Sequence, residues 1–131
     1  MIFFDTAPFV YLLDRNDTRV RSQIERWVRA GEEFSSSCVT WAELLVHPKQ
    51  SGNAQRENVY RLYVNRLLDI PLVIIDERIA EKAASIRAEY RFKIPDSFQL
   101  AAALFAGADT FYTNDKKLKE FAEMNVLLVG E

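Results

Sequence analysis

Short apolar runs alternate along this chain with longer amphipathic segments, and no other feature constrains the fold as strongly. The apolar runs predict strands at 1–4, 34–39, 72–75, 110–113 and 126–129. The segments between them predict helices at 7–13, 17–30, 40–46, 53–68, 77–90 and 96–106. Strands joined through helices form parallel sheets with right-handed crossovers, and helices cover both faces of such sheets. We therefore predict a three-layer α/β/α sandwich around a mostly parallel five-stranded sheet.

The length and composition predict one globular domain over residues 1–131. Charged residues make up 27% of the chain and hydrophobic residues 49%, which is typical of folded proteins. The single cysteine, Cys38, cannot form an internal disulfide, and no apolar run approaches the roughly 20 residues of a membrane span. We therefore expect a cytoplasmic protein without a membrane segment, in which Cys38 is a small buried side chain of the second strand.

The net charge of −2 does not by itself indicate a nucleic-acid-binding protein. The distribution of charge nevertheless offers two candidate surfaces. Residues 15–29 contain five arginines against two acidic residues, and residues 49–66 contain Lys49 and three arginines against Glu57. Such a stretch can follow a phosphate backbone, although most charged helix faces are simply solvated. Both interpretations stay open at this point.

Four acidic residues stand at the ends of predicted strands or near the starts of the helices that follow them. Asp5 follows the first strand, and Asp115 follows the fourth strand by two residues. Glu43 falls in the first turn of the helix after the second strand, and Asp96 opens the alanine-rich helix. Ligands of open parallel sheets gather at the carboxyl ends of the strands. Oxygen ligands without a set of histidines and cysteines indicate a hard cation, Mg²⁺ or Mn²⁺, which can assist displacement at phosphorus.

Each acidic residue also has a purely structural interpretation. The spacing at 40–43 matches a capping box, in which Glu43 would satisfy a backbone donor. Asp96 lies where a helix N-terminus favours negative charge, and the other two acids are plausible helix caps. Asp76 also follows a strand and starts a helix, so its position alone does not exclude it from the set. Convergence of four acids at one sheet edge favours the metal site, because caps need not converge.

Three stretches of this chain resemble a known family: MIFFDT at 1–6, SCVTWAELLVHP at 37–48 and IPDSFQLAAALFAGADTFYTND at 94–115. They resemble the PIN-domain family and, within it, the VapC-type ribonuclease toxins of toxin–antitoxin systems. The pattern consists of four acidic motifs in a fixed order and at these separations, and no single motif carries it. The resemblance covers essentially the whole chain.

The resemblance implies a Mg²⁺- or Mn²⁺-dependent endoribonuclease that hydrolyses RNA phosphodiester bonds. It also implies a homodimer and a cognate antitoxin protein that holds the enzyme in check. Transferred position by position, the direct metal ligands are Asp5, Asp96 and Asp115. Glu43 is implied to bind through water or to orient the nucleophile. All four are thus implied to be catalytic.

The resemblance extends less strongly to the surroundings of these acids. Thr6, Thr113 and Asn114 are implied to support the ligands, and the run Thr-Asn-Asp leaves open whether Asn114 assists Asp115. The family's strand order, 3-2-1-4-5, would place Asp76 beside an edge strand, away from the crevice. Ser97-Phe98 departs from the residues that relatives often carry after the third acid, which alters helix packing and leaves that acid in place.

Other functions remain open on the sequence. An RNA-maturation or structure-specific nuclease without an antitoxin would use the same site, and a short overlapping upstream reading frame would favour the toxin instead. A non-catalytic RNA-binding PIN scaffold typically lacks one or more of the acids, whereas all four are present here. A phosphoacceptor receiver domain also has an aspartate after strand one. It normally needs a lysine after the last strand, where only Gly130 and Glu131 follow.

Overall fold

The computed structural model describes residues 1–131, with strands and helices alternating along the chain. The strands are β1 (Ile2–Phe4), β2 (Phe34–Ser35), β3 (Thr110–Thr113) and β4 (Asn125–Leu128). The helices are α1 (Thr6–Arg15), α2 (Thr18–Arg29), α3 (Cys38–Gln50), α4 (Ala54–Leu67), α5 (Glu77–Tyr90) and α6 (Ile94–Ala106), with a 3₁₀ helix at Lys116–Glu120. Every helix except α3 lies within two residues of its predicted bounds. None of them has the length and apolar content needed to cross a bilayer.

The sheet is parallel throughout, with strand order β2-β1-β3-β4. From β1 the chain moves outward to β2, and it later returns to form β3 on the other side of β1. The direction of winding therefore reverses between β1 and β3, and a crevice opens at the carboxyl ends of these two strands. The predicted three-layer α/β/α sandwich is confirmed.

Two apolar clusters fill the space between the sheet and the helices on its two faces. Side chains alternate across β1, so Phe3 packs with α5 and α6 while Ile2 and Phe4 pack with the helices of the opposite layer. Ala101, Ala102 and Ala103 of α6 are fully buried in the first cluster. Their small side chains let α6 lie close to the sheet, and this fixes where the start of α6 meets the crevice.

The sheet has four strands rather than the predicted five. The segment predicted as a strand at 72–75 makes a single parallel bridge, between Val73 and Ser37. The Val73 amide donates to the Ser36 carbonyl at 2.9 Å, and the Val73 carbonyl accepts from the Cys38 amide at 3.0 Å. Pairing stops there because the residues that follow Ser37 are helical and offer no further strand partner.

The second strand was predicted to run over 34–39, and that prediction is wrong beyond Ser35. The Ser37 hydroxyl accepts a hydrogen bond from the Val39 amide at 3.1 Å and caps α3. This local bond draws the backbone into a helix that begins at Cys38. Cys38 is consequently exposed in the first turn of α3, and the prediction of a buried strand position is corrected.

Helix α3 was predicted to cover 40–46 and to end before Pro48, but it continues to Gln50 with Pro48 inside it. Pro48 is buried, so packing offsets the intrahelical hydrogen bond that a proline cannot donate. The longer helix places Glu43 in its second turn rather than its first. It also places Thr40 inside the helix instead of at its N-cap, so the capping-box interpretation of 40–43 is wrong.

Candidate active site

The four predicted carboxylates line one open cleft of about 490 Å³ at the carboxyl edge of the sheet, which we call the acidic cleft. Each carboxylate comes from a different part of the fold. Asp5 joins β1 to α1, and Asp115 follows β3. Glu43 projects from α3, and Asp96 lies in the first turn of α6. Thr6, Tyr11, Thr113 and Asn114 also line the cleft. The fold thus brings together residues that are up to 110 positions apart.

Asp5 is the most deeply buried of the four carboxylates. It accepts hydrogen bonds from the Thr6 amide at 2.8 Å, the Thr113 hydroxyl at 2.7 Å and the Gln99 side-chain amide at 3.2 Å. Burial raises the pKa of Asp5, the three donors oppose that rise, and the charge of Asp115 adds to it. Asp5 is therefore held in one orientation at the junction of the two central strands.

Gln99 supports Asp5 through a buried polar network that the sequence analysis missed. Its side chain is 1% exposed, and its amide nitrogen donates to both Asp5 and the Thr40 hydroxyl. Its carbonyl oxygen accepts from the Ser37 hydroxyl. A signal was present in the sequence, because Gln99 is a polar residue three positions after Asp96 in an otherwise apolar part of α6. Residues three apart share a helix face.

The Glu43 side chain is exposed, and the Thr6 hydroxyl donates to its carboxylate at 2.8 Å. Partial desolvation raises the pKa of Glu43, the hydrogen bond from Thr6 opposes this rise, and the charge of Asp5 adds to it. Thr6 thus contacts two of the four acids, through its amide to Asp5 and through its hydroxyl to Glu43. The placement of Thr6 matches the supporting position that the resemblance implied.

Thr113 links the two acids that follow the central strands. Its hydroxyl donates to Asp5 and accepts from the Asp115 amide at 3.2 Å. Asn114, between Thr113 and Asp115, donates its side-chain amide to the Tyr11 hydroxyl at 2.6 Å. The Asn114 side-chain nitrogen is therefore bonded to Tyr11 of α1. Asn114 and Asp115 both line the cleft, and only Asp115 brings a negative charge to it.

Asp96 differs from the other three because its carboxylate accepts no hydrogen bond from the protein, and α6 lacks a side-chain cap. Partial burial raises the pKa of Asp96 to about 6, with further contributions from the charges of the other three acids, Asp5 first. Asp96 therefore experiences the negative charge of the whole cluster without a hydrogen-bond donor, and the charge of Lys93 opposes the rise in its pKa.

The structural interpretations hold for two of the site acids and also explain Asp76. Asp5 caps α1, and Asp115 accepts from the Lys117 amide at 3.0 Å at the start of the 3₁₀ helix. Both therefore cap helices and line the cleft at once. Asp76 accepts from the Ile79 amide at 3.0 Å, caps α5 and does not line the cleft. This agrees with the edge position that the family's strand order implied.

The donor set of the acidic cleft fits a hard divalent cation, since the four charged groups are carboxylates and neither histidine nor cysteine lines the cleft. As placed, no three histidine, cysteine, aspartate or glutamate side chains lie close enough to hold one ion directly. Mutual repulsion separates carboxylates that lack an intervening positive charge, and Asp5 and Glu43 bond to hydroxyl donors instead. The shared ligation predicted for Asp5, Asp96 and Asp115 therefore stays a prediction.

A parallel α/β sandwich with a cluster of carboxylates at its switch point defines a class of protein suited to cation-assisted chemistry. The family model of the PIN domain matches residues 2–124, so this chain belongs to the PIN-domain family. PIN domains are generally nucleases. A comparison with curated protein sequences finds no match.

Several solved structures share the fold of this chain. A toxin–antitoxin complex from Klebsiella pneumoniae is 23% identical with a TM-score of 0.78, covering 97% of this chain and 96% of that chain. VapBC2 from Rickettsia felis, bound to a DNA fragment from its promoter, is 16% identical with a TM-score of 0.81 and covers 98% of both chains. FitAcB from Neisseria gonorrhoeae is 23% identical with a TM-score of 0.75, covering 97% of this chain and 96% of that chain. At these identities the likeness shows the fold.

The raised pKa values in the acidic cleft predict how stability depends on pH without divalent cations. Since the pKa of Asp96 is raised to about 6, the folded state binds protons more tightly than the unfolded chain between about pH 4 and 6. The free energy of unfolding therefore falls as pH rises through this range. Asp17, whose pKa is lowered to about 2, is ionised in both states above about pH 5 and adds no slope there.

We expect the protein in EDTA to melt at a higher temperature at about pH 5 than at about pH 7.5. Thermal melting followed by circular dichroism measures the difference. In the variant Asp96→Asn the difference should shrink, because one of the groups with a raised pKa is gone. Equal melting temperatures for the unmodified protein at the two pH values would contradict the prediction.

Proposed function

We propose that this protein is a Mg²⁺- or Mn²⁺-dependent endoribonuclease and the toxin component of a toxin–antitoxin pair. The observation that carries the proposal is the meeting of four carboxylates from four parts of the fold in one cleft at the switch point. Membership of the PIN-domain family supports the nuclease activity. The neighbouring structures, which are toxin–antitoxin complexes, support the toxin role.

In this proposal the chain's own residues hold the acids in place. Thr113 and Gln99 orient Asp5, and Thr6 orients Glu43. Asp96 accepts no hydrogen bond from the protein, so its oxygens are free for a cation. A divalent cation bound by Asp5, Asp96 and Asp115 would acidify a water and offset the charge that builds on the phosphate oxygens during in-line displacement.

Cleavage of a labelled single-stranded RNA in the presence of Mg²⁺, Mn²⁺ or EDTA tests the activity. We expect cleavage with either cation and none with EDTA. The variant Asp5→Asn should lose cleavage, whereas Asp76→Asn should keep it, because Asp76 caps a helix outside the cleft. Cleavage of single-stranded DNA in preference to RNA would contradict the ribonuclease assignment. Binding of RNA without cleavage under any of these conditions would favour the scaffold function.

The toxin role is tested separately from the chemistry. After induced expression, sequencing of RNA 5′ ends should show new ends at a small set of sites within minutes. Co-expression of the protein encoded by a short overlapping upstream reading frame should suppress those ends. Cleavage without any effect of such a neighbour would favour an RNA-maturation nuclease that works without an antitoxin.

An apolar cleft of about 580 Å³ between α1, α2 and α4 offers a surface for the antitoxin. Phe9, Leu12 and Leu13 of α1 face Ile24 of α2 across it, and Val59, Tyr63 and Leu67 of α4 complete the apolar lining. Exposed apolar surface of this kind usually marks a partner site. Since the neighbouring folds occur in complexes with antitoxins, we assign the apolar cleft to an apolar segment of the antitoxin.

The variant Tyr63→Glu tests this assignment, because Tyr63 is 50% exposed and a charge there should leave folding intact. We expect loss of co-purification with the co-expressed antitoxin and retention of RNA cleavage. For the free protein we keep the prediction of a homodimer, so light scattering should show twice the 15.2 kDa of one chain. A monomer would contradict the homodimer. Conversion of a dimer to a monomer by Tyr63→Glu would assign the apolar cleft to a second copy instead.

A further inference from the structure

A second cavity, of about 360 Å³, adjoins the acidic cleft. Asp96 and Asp115 line both spaces, so a nucleic-acid strand that crosses the acidic cleft on that side enters this cavity next. Three positively charged side chains, Arg91, Lys93 and Lys117, line the cavity away from the two shared acids. Glu120 is the one further acidic residue in the lining. We call it the basic cavity. No sequence motif pointed to it, since Arg91 and Lys93 lie in the turn between α5 and α6 whereas Lys117 lies in the 3₁₀ helix.

The three cations of the basic cavity have no bonded partner in the protein, and Lys93 acts on Asp96 only through its charge. Arg91, Lys93 and Lys117 are exposed, and their charged groups make neither an ion pair nor a hydrogen bond. In the basic stretches noted in the sequence, Arg19 pairs with Asp17 at 2.7 Å and Lys49 pairs with Glu57 at 3.2 Å. Arg66 of α4 is also without an ion pair, but it does not line the acidic cleft or the basic cavity. Positive charge that is free to meet an external anion is therefore available beside the acids of the cleft.

We propose that the basic cavity binds the backbone phosphates of the RNA strand on one side of the bond that is cleaved. This inference rests on the proposed ribonuclease function and extends it to a substrate subsite. Phosphate contacts fix the register of a strand without reading its sequence, and a positively charged groove is the common way to hold single-stranded RNA. Such contacts would hold the next phosphate in place against repulsion from Asp96 and Asp115.

The test compares two double variants that each remove two positive charges. Arg91→Asn with Lys117→Gln alters the basic cavity, and asparagine suits the left-handed backbone of Arg91, whose φ is 63°. Arg61→Gln with Arg66→Gln alters α4, in the second basic stretch, and neither residue lines the basic cavity or the acidic cleft. Circular dichroism and thermal melting establish that both proteins are folded.

Fluorescence anisotropy with a labelled mixed-sequence single-stranded RNA in EDTA measures binding without cleavage. For the cavity variant we expect Kd to rise about tenfold, and the slope of log Kd against log salt to fall by about 1.4, or about 0.7 for each lost phosphate contact. In cleavage assays with Mg²⁺, KM should rise about tenfold while kcat stays within about twofold. The α4 variant should behave like the unmodified protein in all three measurements.

An unchanged salt slope and KM in the cavity variant would overturn the inference, and the ribonuclease function would stand if the unmodified protein cleaves RNA. An equal effect of the α4 variant would also overturn it, because RNA would then respond to overall charge rather than to this cavity. If the unmodified protein neither binds nor cleaves RNA, the proposed function fails and the subsite fails with it. A fall in kcat alone would place these residues in support of the carboxylates instead of in strand binding.

Discussion

Replacing Asp96 by asparagine should lower the rate of RNA cleavage by orders of magnitude while leaving the protein folded. The substitution keeps the shape of the side chain and removes a charge that a divalent cation needs. Loss of several kcal/mol of cation-mediated stabilisation corresponds to a large fall in rate, because each 1.36 kcal/mol is about tenfold. In EDTA the melting temperature at neutral pH should rise, since the pKa of Asp96 shows that its ionised form is disfavoured in the fold.

The helix-capping interpretation predicts the opposite pattern for Asp96→Asn. It requires a loss of about 0.3–1 kcal/mol in the free energy of unfolding, with cleavage hardly changed. Asp76→Asn is the matched control, because Asp76 caps α5 outside the acidic cleft. We expect it to lower stability slightly and to keep full activity. Retained cleavage together with a lowered melting temperature in Asp96→Asn would end the metal role assigned to this residue.

Replacing Gln99 by leucine should impair both stability and cation binding. The change leaves the hydroxyls of Ser37 and Thr40 without their buried partner and removes one donor from Asp5. A buried polar group without a partner costs about 1–3 kcal/mol, so the midpoint of urea unfolding should fall. Residues that orient a metal ligand typically change metal affinity by about 10–100-fold. We therefore expect Mn²⁺ affinity, measured by calorimetric titration at a temperature where the variant is folded, to fall by a factor in that range.

Gln55→Leu is the control for this substitution, because Gln55 is exposed on α4 and makes no side-chain hydrogen bond in the structure. It should leave both the unfolding midpoint and the Mn²⁺ affinity unchanged. A stability loss in Gln99→Leu without any change in Mn²⁺ affinity would show that Gln99 serves the core alone. In that case the orientation of Asp5 would depend on Thr6 and Thr113.

Local patterns predicted the elements whose structure depends mainly on their own residues. The apolar run at 110–113 and the amphipathic pattern at 77–90 match β3 and α5 residue for residue. The strand predictions at 34–39 and 72–75 exceeded what forms, because a strand also needs a partner to pair with. The cap that Ser37 provides starts α3 and so removes that partner. An apolar pattern in the sequence does not show that a side-chain cap will turn the backbone into a helix before the strand can extend.

The amino-acid sequence by itself determined the alternation of strands and helices, and this alternation predicted a parallel sheet. It also predicted that the site lies at the carboxyl edge of that sheet, with the acids Asp5, Glu43, Asp96 and Asp115. These features follow from short-range apolar patterns and from the handedness of crossovers. Only the tertiary structure decided the roles of Gln99 and of the basic cavity. Both depend on contacts between segments that are far apart in the chain. Gln99 reaches Ser37 only when α6 lies against the start of α3. Arg91 and Lys117 line one cavity only when the 3₁₀ helix after β3 lies beside the end of α5.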